Sequence, residues 1–93
     1  MSMEVPANFG GQGPLPYQVY ILKCADGSLY VGCTSNISER FYRHESGWVP
    51  ATKWRLPVQL VLMISFPDKY LAYRFEKYLK TGSGRAFTNK HLN

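Results

Sequence analysis

The amino-acid sequence predicts an α+β domain whose strands and helices follow one another in the order ββαβα. Two runs rich in β-branched and aromatic residues, 17–24 and 28–34, are separated by a short turn that contains Asp-Gly, which is the strongest local signal for a β-hairpin. Helix-capping residues at Asn36 and Asp68 each precede a run with helical spacing. The apolar run 58–66 supplies the third strand.

The first sixteen residues differ in composition from the rest of the chain. They hold three glycines and three prolines, with few charges and no periodicity, which predicts a flexible N-terminal tail over 1–16. The remaining residues are numerous enough for one modest hydrophobic core. The sequence therefore predicts a single folded domain over 17–93.

The length of the hairpin loop decides which side chains share a face, because a shift of one residue reverses every side chain. A three-residue loop with Gly27 in the left-handed conformation pairs Tyr20 with Gly32 and Leu22 with Tyr30. Tyr20 and Tyr30 then lie on one face as diagonal neighbours, and Gly32 leaves open space over Tyr20. A two-residue loop would place the two tyrosines on opposite faces.

The first helix is predicted over 37–46. Asn36 begins a capping-box-like sequence and Gly47 is a stop signal. Arg40 and His44 are four residues apart, so they lie together on one side of this helix.

The second helix is predicted from Asp68 to about Lys80 and is closed by Gly82. Glu76 lies on its flank, beside the apolar stripe that faces the core. The remaining residues, 83–93, are predicted to form a short irregular tail.

Charge is distributed unevenly along the chain. The formal net charge is +5, with a balance of −1 over residues 1–35 and +6 over residues 36–93. The basic part also holds both tryptophans, which suits a polyanion with faces to stack on and so favours nucleic acid over a membrane. An ordinary solvated surface is the alternative.

The location of the protein is predicted from what the sequence lacks. No apolar run approaches the roughly 20 residues that a membrane span requires, and the N-terminus lacks the basic-then-apolar order of a signal peptide. We therefore expect a cytoplasmic protein without membrane contact. The oligomeric state is left open, with a monomer favoured.

Five side chains that converge near the predicted hairpin suit phosphodiester hydrolysis, namely Tyr20, Tyr30, Arg40, His44 and Glu76. This reaction needs a base for the attacking water, a cation for the charge that grows on phosphorus, and help for the leaving oxygen. The Arg40 guanidinium matches phosphate geometry. Because a tyrosine has an ordinary pKa of about 10, positive neighbours are expected to lower the pKa of a tyrosine base.

Glu76 is the acidic residue of this set and therefore the candidate metal ligand. A single carboxylate suffices for Mg²⁺, or for Mn²⁺, when the ion keeps several waters and shares the substrate phosphate. A metal held in this way helps to stabilise charge and to release the leaving oxygen. A surface ion pair between Glu76 and Lys80 is the alternative.

The same residues carry a resemblance to a known family. The matching positions are Gln18-Val19-Tyr20, then Tyr30-Val31-Gly32 ten residues later, then Arg40, His44, Glu76 and Asn89. This pattern resembles the GIY-YIG nuclease superfamily over residues 17 to about 90, in particular its small stand-alone members and the nuclease domain of the bacterial excision-repair endonuclease. The resemblance implies a three-stranded antiparallel sheet flanked by helices, metal-dependent cleavage of DNA and a role in DNA repair.

By position in this resemblance, one of the two tyrosines is the general base. Tyr20 is favoured, with Tyr30 assisting, and packing within the sheet is the alternative for both phenols. Arg40 stabilises the transition state, although an ion pair with a neighbouring glutamate is the alternative. His44 contacts the phosphate or the tyrosines, unless it only caps or covers its helix.

The resemblance assigns Glu76 to the metal and Asn89 to the ordering of the site. Three positions depart from the family pattern. Gln18-Val19 replaces Gly-Ile, and Cys33 stands where some relatives have a lysine. The first change is mild because the backbone of the strand matters more there than its side chains.

Four further residues are predicted nucleic-acid contacts, namely Lys53, Trp54, Arg55 and Lys77. The predicted function is a Mg²⁺-dependent DNA endonuclease. The alternative is a non-catalytic nucleic-acid-binding module that retains the nuclease fold, and a protein-interaction module ranks last.

Overall fold

The computed structural model describes residues 15–93, which form three strands and three helices. In chain order these are β1 (Tyr17–Lys23), β2 (Leu29–Thr34), α1 (Ile37–Glu45), β3 (Gln59–Phe66), α2 (Lys69–Leu79) and α3 (Gly82–Leu92). The predicted α+β fold and the element order ββαβα are confirmed, and one additional helix, α3, comes after them. Residues 1–14 of the predicted tail lie outside the described residues. None of the helices described has the length and hydropathy to cross a membrane.

The three strands form one antiparallel sheet in the order β2-β1-β3, so β1 is the central strand and β2 is an edge. The apolar residues of β1 predict this central place, because both of its faces are covered. The pairing of β1 with β3 shifts by one residue between Ile21 and Leu22, and such a bulge increases the local twist of the sheet.

Just beyond the ends of β1 and β2 the Cys24 amide donates to the Ser28 carbonyl oxygen at 2.8 Å, which leaves a three-residue loop, 25–27, as predicted. Gly27 has a φ of 85°, which glycine adopts easily because it has no Cβ. The register pairs Tyr20 with Gly32 and Leu22 with Tyr30. The prediction that Tyr20 and Tyr30 share one face of the hairpin is therefore confirmed.

The two faces of β1 pack against different parts of the chain. Val19 and Ile21 are fully buried against Ala72 and Leu79 of α2, and they form the hydrophobic core. Burial of each such aliphatic side chain contributes roughly 1.5–3 kcal/mol. Tyr20 points to the opposite face because side chains alternate along a strand, and α1 packs there.

Helix α1 begins and ends within one residue of its predicted limits. The Asn36 side chain accepts a hydrogen bond from the Glu39 amide at 3.1 Å. At the other end Gly47 has a φ of 78°, and the amides of Gly47 and Trp48 donate to carbonyl oxygens of the last turn, which is a Schellman pattern. The chain therefore reverses at Gly47, and the loop 48–57 returns towards α1.

The prediction of an irregular tail over 83–93 is wrong, because residues 83–92 belong to α3. The Thr81 hydroxyl caps the helix by accepting a hydrogen bond from the Gly84 amide at 3.2 Å. Gly82 begins α3 without the left-handed backbone that a glycine stop would show. Glycines at the start of α3 lower the helix propensity of this segment, which is why the sequence did not predict a helix here.

The close approach of α3 to α2 predicts that Gly84→Ala destabilises the protein. A Cβ at Gly84 would lie 2.6 Å from Leu79 Cα and would collide with the Tyr78 carbonyl oxygen. Such overpacking should lower the free energy of unfolding by about 1–3 kcal/mol, measured by urea unfolding followed by circular dichroism.

Gly82→Ala is the matched control, because a Cβ at Gly82 meets nothing within 4 Å. Alanine favours helix over glycine, so this variant should equal the unchanged protein or exceed its stability by up to about 1 kcal/mol. Equal stabilities of the two variants would contradict the packing role of Gly84.

Candidate active site

The phenol of Tyr20 is the centre of a hydrogen-bonded cluster on the α1 face of the sheet. Tyr20 is fully buried. Arg40 Nε donates to its oxygen at 3.3 Å, and His44 Nε2 lies 2.9 Å from the same oxygen. Because Arg40 and His44 are four residues apart on α1, successive turns of one helix deliver both side chains to one atom.

Gly32 of β2 lies directly against the Tyr20 ring. A Cβ at Gly32 would lie 2.9 Å from Tyr20 Cε1 and would collide with the phenolic oxygen. The open space that the sequence predicts over Tyr20 is therefore filled by the Tyr20 ring itself. Any larger residue at Gly32 would displace the phenol from Arg40 and His44.

Tyr30 completes the cluster at its more accessible edge. Its ring centre lies 6.2 Å from that of Tyr20 and 4.9 Å from that of His44. Tyr30 is partly exposed, whereas Tyr20 is fully buried. Tyr30 is therefore the phenol of this pair that water or a substrate can reach.

The pKa of Tyr20 moves opposite to the direction expected from the sequence. Burial raises the pKa of Tyr20 to about 12, and the hydrogen bond from Arg40 lowers it by less. The neighbouring Tyr30 adds to the rise. One guanidinium does not replace the hydration that a buried phenolate loses, so Tyr20 keeps its proton at neutral pH.

Thr52, which sequence reasoning missed, holds the other side of the His44 ring. Both residues are fully buried, and His44 Nδ1 lies 2.8 Å from Thr52 Oγ1. Burial, assisted by the charge of Arg40, lowers the pKa of His44, so the ring is neutral at pH 7. A single threonine in a loop carries no motif or periodicity, and no local signal could have identified it.

Arg40 belongs to this cluster and not to a surface ion pair. Its hydrogen bond to Tyr20 is the main reason that the pKa of Arg40 is raised. Glu39, one of its alternative partners, forms an ion pair with Arg43 at 2.9 Å. The guanidinium of Arg40 is thus fixed against the tyrosines.

Glu76 lies beside the same hairpin but over the other face of the sheet. It belongs to α2, which packs against the Val19 face. Helix α2 also packs against β2, and burial and then the Glu76 carboxylate raise the pKa of the Cys33 thiol on that strand. Its side chain is 14% exposed, and its carboxylate lies 3.6 Å from Lys80 Nζ, the alternative pairing that the sequence allows.

Asn89 lies on α3 and lines a cleft of about 410 Å³ along the edge strand β2. Residues Tyr30, Lys80 and Arg85 line the same cleft. Two of the predicted site residues, Tyr30 and Asn89, therefore border one cavity, and cationic side chains stand beside them.

The four predicted nucleic-acid contacts differ in how free their side chains are. Lys53, Trp54 and Lys77 are exposed. Arg55 is partly buried, and its guanidinium donates to Ser28 Oγ at 2.6 Å. Arg55 therefore holds the loop against the hairpin.

Comparison with known proteins decides the family. The sequence model of the GIY-YIG catalytic domain matches residues 16–91. The chain belongs to the GIY-YIG family. This match spans all three strands and all but the end of α3, so it covers the whole candidate site.

Similar GIY-YIG relatives carry the name UPF0213. The chain is 43% identical over 68 residues to UPF0213 protein SSP2268 of Staphylococcus saprophyticus, which covers 72% of this chain and 83% of the relative. It is 34% identical over 83 residues to UPF0213 protein SAG0778 of Streptococcus agalactiae, covering 85% and 94%. The solution NMR structure of UPF0213 protein BH0048 from Bacillus halodurans matches with a TM-score of 0.52 at 34% identity, covering 82% of this chain and 84% of that chain.

The two tripeptides of the GIY-YIG motif lie on adjacent strands, with Tyr20 opposite Gly32. Val19, in the place of the family isoleucine, is fully buried in the core. An aliphatic side chain of similar shape fills the same space there, which explains why this departure from the motif is mild.

The neutral, buried His44 predicts a loss of stability in mild acid. The ordinary pKa of histidine is about 6.5 and that of His44 is lower, so below pH 6.5 the unfolded chain binds a proton that the folded protein excludes. The free energy of unfolding should hold above pH 6.5 and fall as the pH drops from 6.5 towards 5. Urea unfolding at several pH values measures this slope.

His44→Gln should reduce the slope between pH 6.5 and 5. The exposed His91 provides the matched control, and His91→Gln should retain the slope of the unchanged protein. If His44→Gln keeps the full slope, another group causes the acid sensitivity.

Proposed function

We propose that this GIY-YIG protein is a divalent-metal-dependent endonuclease that hydrolyses DNA phosphodiester bonds. The observation that carries the proposal is the cluster in which Arg40 and His44 bond to the buried Tyr20 oxygen while Tyr30 stands at the accessible edge. A guanidinium held beside two phenols combines a phosphate-binding cation with groups that transfer protons.

Tyr30 is the general base in this proposal and Tyr20 assists it, which reverses the order favoured by the sequence. A fully buried phenol with a pKa of about 12 stays protonated and has no contact with water. In this proposal the protonated Tyr20 acts as a hydrogen-bond donor towards the neighbouring Tyr30 oxygen. Tyr30 then takes the proton of the water that attacks phosphorus.

Arg40 stabilises the negative charge that grows on the phosphate oxygens. Its guanidinium is always charged and is already held in place by Tyr20, so little reorganisation is needed when the charge develops. His44 is neutral and fully buried, and its role is to hold Tyr20 in position.

Glu76 is the proposed ligand of Mg²⁺ or Mn²⁺. Over residues 15–93 no group of three or more His, Cys, Asp or Glu side chains could hold a metal ion. One sheltered carboxylate fits an ion that keeps its waters and shares the phosphate, and such an ion, when bound, helps the leaving oxygen to depart. β2 is an edge strand, so a DNA strand beside it is open to residues of both faces of the sheet.

DNA is the proposed substrate, because the net charge is +5 and polyanions bind such surfaces through phosphate contacts. Lys53, Trp54 and Lys77 are exposed and are proposed to contact the DNA directly, whereas Arg55 orders the loop. Asn89, in the cleft along β2, is proposed to order the bound strand. We propose a monomeric, cytoplasmic enzyme that acts in DNA repair.

One observation favours the alternative of a non-catalytic nucleic-acid-binding module. Glu76 pairs with Lys80 over the face of the sheet that does not carry the tyrosines. If this ion pair is the whole role of Glu76, no metal ligand remains at the cluster. The fold and the basic surface would then serve binding alone.

The assignment of Tyr30 as base predicts that Tyr30→Phe slows DNA cleavage by about 10²–10⁴-fold with little change in the free energy of unfolding. Rates are measured with Mg²⁺ and with Mn²⁺ on a panel of nicked, branched and single-stranded DNA. Tyr17→Phe changes a tyrosine outside the cluster and is the matched control, with the rate of the unchanged protein expected.

Glu76→Gln should abolish metal-dependent cleavage and retain DNA binding. A Tyr30→Phe variant that cleaves at the normal rate would remove Tyr30 from the mechanism. If the unchanged protein binds every DNA of the panel and cleaves none with either metal, the non-catalytic alternative is correct.

A further inference from the structure

Both tryptophans of the chain lie on the 48–57 loop with exposed indole rings. Trp48 is 68% exposed and Trp54 is 85% exposed, and the sequence has no other tryptophan. An exposed indole forgoes the free energy that its burial would supply. Two such rings on one ten-residue loop indicate a contact with a partner.

The loop that carries these rings is tied to the candidate active site. Thr52 Oγ1 lies 2.8 Å from His44 Nδ1. Trp54 is two residues from Thr52, hence at most about 7 Å away along the chain, and Trp48 is four residues away, at most about 14 Å. The two tryptophans therefore belong to a segment whose backbone is anchored at the Tyr20 cluster.

A lysine and a further aromatic ring lie beside the two indoles. Lys53 Nζ lies 4.9 Å from the centre of the Trp54 ring. The Trp48 amide bonds to the Arg43 carbonyl oxygen at 2.9 Å, and the Tyr42 ring meets Trp48 edge-on with 6.4 Å between ring centres. Aromatic faces beside cations suit single-stranded nucleic acid, whose bases stack and whose phosphates attract the cations.

We propose that Trp48 and Trp54 stack on unpaired DNA bases beside the cleaved bond, so that the substrate contains a single-stranded segment. In a duplex, neighbouring base pairs cover the faces of each base, and an indole on a fixed loop has no face to stack on. The statement that these bases lie beside the cleaved bond rests on the proposed function, whereas the binding of single-stranded DNA by the two indoles does not.

Intrinsic tryptophan fluorescence reports on this surface alone, because the chain has no indole elsewhere. The protein is titrated in EDTA with a single-stranded oligonucleotide and with a duplex of the same length. We expect the single strand to quench the fluorescence and to bind more tightly, and the duplex to leave the fluorescence nearly unchanged.

Trp54→Ala should weaken single-strand binding, followed by anisotropy of labelled DNA, by about 5- to 150-fold. Trp54→Phe should lose much less because a phenyl ring still stacks. Tyr70→Ala removes another exposed aromatic, 67% exposed on α2, and is the matched control with unchanged affinity. Circular dichroism checks that all variants fold.

Equal quenching by duplex and single strand overturns the proposal, as does single-strand affinity that is unchanged in Trp54→Ala or equally reduced in Tyr70→Ala. Selective single-strand binding by a protein that cleaves no DNA with Mg²⁺ or Mn²⁺ supports the stacking surface and removes the proposed function. The two failures are therefore distinguishable.

The hydrogen bonds of Thr52 carry a second, independent inference about the tautomer of His44. Within residues 15–93 the buried Thr52 hydroxyl has one hydrogen-bond partner, His44 Nδ1. A buried hydroxyl hydrogen without an acceptor is costly, so this hydroxyl donates to Nδ1. A neutral imidazole then carries its proton on Nε2, which faces the Tyr20 oxygen at 2.9 Å.

We infer that Thr52 is a positioning residue that holds His44 as the Nε2-protonated tautomer. The Tyr20 oxygen then accepts hydrogen bonds from both His44 and Arg40, and its own hydrogen is left to point at Tyr30. The hydrogen bonds of this series are then all donated in one direction, from Thr52 to His44, from His44 to Tyr20 and from Tyr20 towards Tyr30.

Nitrogen-15 NMR of the histidine rings at pH 7.5 tests this inference without DNA. The unchanged protein and Thr52→Ser should show His44 protonated on Nε2, and Thr52→Val, which keeps the shape but removes the donor, should show a mixture of tautomers. His91→Gln identifies the signals of the second histidine. If the protein cleaves DNA, Thr52→Val should also shift the pH–rate profile of cleavage to higher pH, and Thr52→Ser should restore the original profile.

A His44 ring protonated on Nδ1 in the unchanged protein overturns the inference, even if Thr52→Val does not fold. A folded Thr52→Val variant with the tautomer unchanged overturns it as well.

Discussion

The burial of the Tyr20 phenol, with Arg40 and His44 bonded to its oxygen, is the interaction on which the other features of the site depend. A hydroxyl on the central strand of a sheet has to find polar partners, because a buried polar atom without them is costly. Here the partners come from α1, and Thr52 in turn satisfies the second nitrogen of His44. Sheet, helix and loop are therefore assembled around one oxygen atom, and Gly32 provides the space that this atom occupies.

Features set by short-range geometry could be predicted from the sequence. Gly27 determines the length of the hairpin loop, and the loop determines the register that puts Tyr20 and Tyr30 on one face. The spacing of Arg40 and His44 requires only that a helix forms, and the signals for that helix lie within a few residues of its ends. Each of these inferences depends on neighbours in the chain, which is why the structure confirms the predicted geometry.

Features that depend on contacts between distant segments could not be predicted. Residues 83–92 form part of a helix because the backbone at Gly84 packs closely on the end of α2, and the sequence alone shows only glycines that disfavour helix. Thr52 matters because its loop folds back over α1. The pKa of Tyr20 rises because the whole fold excludes water from it. The position of Glu76 on α2 could be predicted from the sequence, but the face of the sheet against which α2 packs could not.

The overlap between the candidate catalytic cluster and the interior of the protein affects how such a domain can change during evolution. Loss of Tyr20 or His44 would leave fully buried partners unsatisfied and would threaten folding itself, whereas Tyr30 and Glu76 are partly exposed, so water can take the place of their side-chain oxygens. A descendant that lost catalytic activity would therefore retain most of the GIY-YIG sequence motif. In this architecture, the presence of the motif is evidence of ancestry and of the ability to fold. The accessible residues, Tyr30 and Glu76, are the ones that distinguish an active enzyme from an inactive relative.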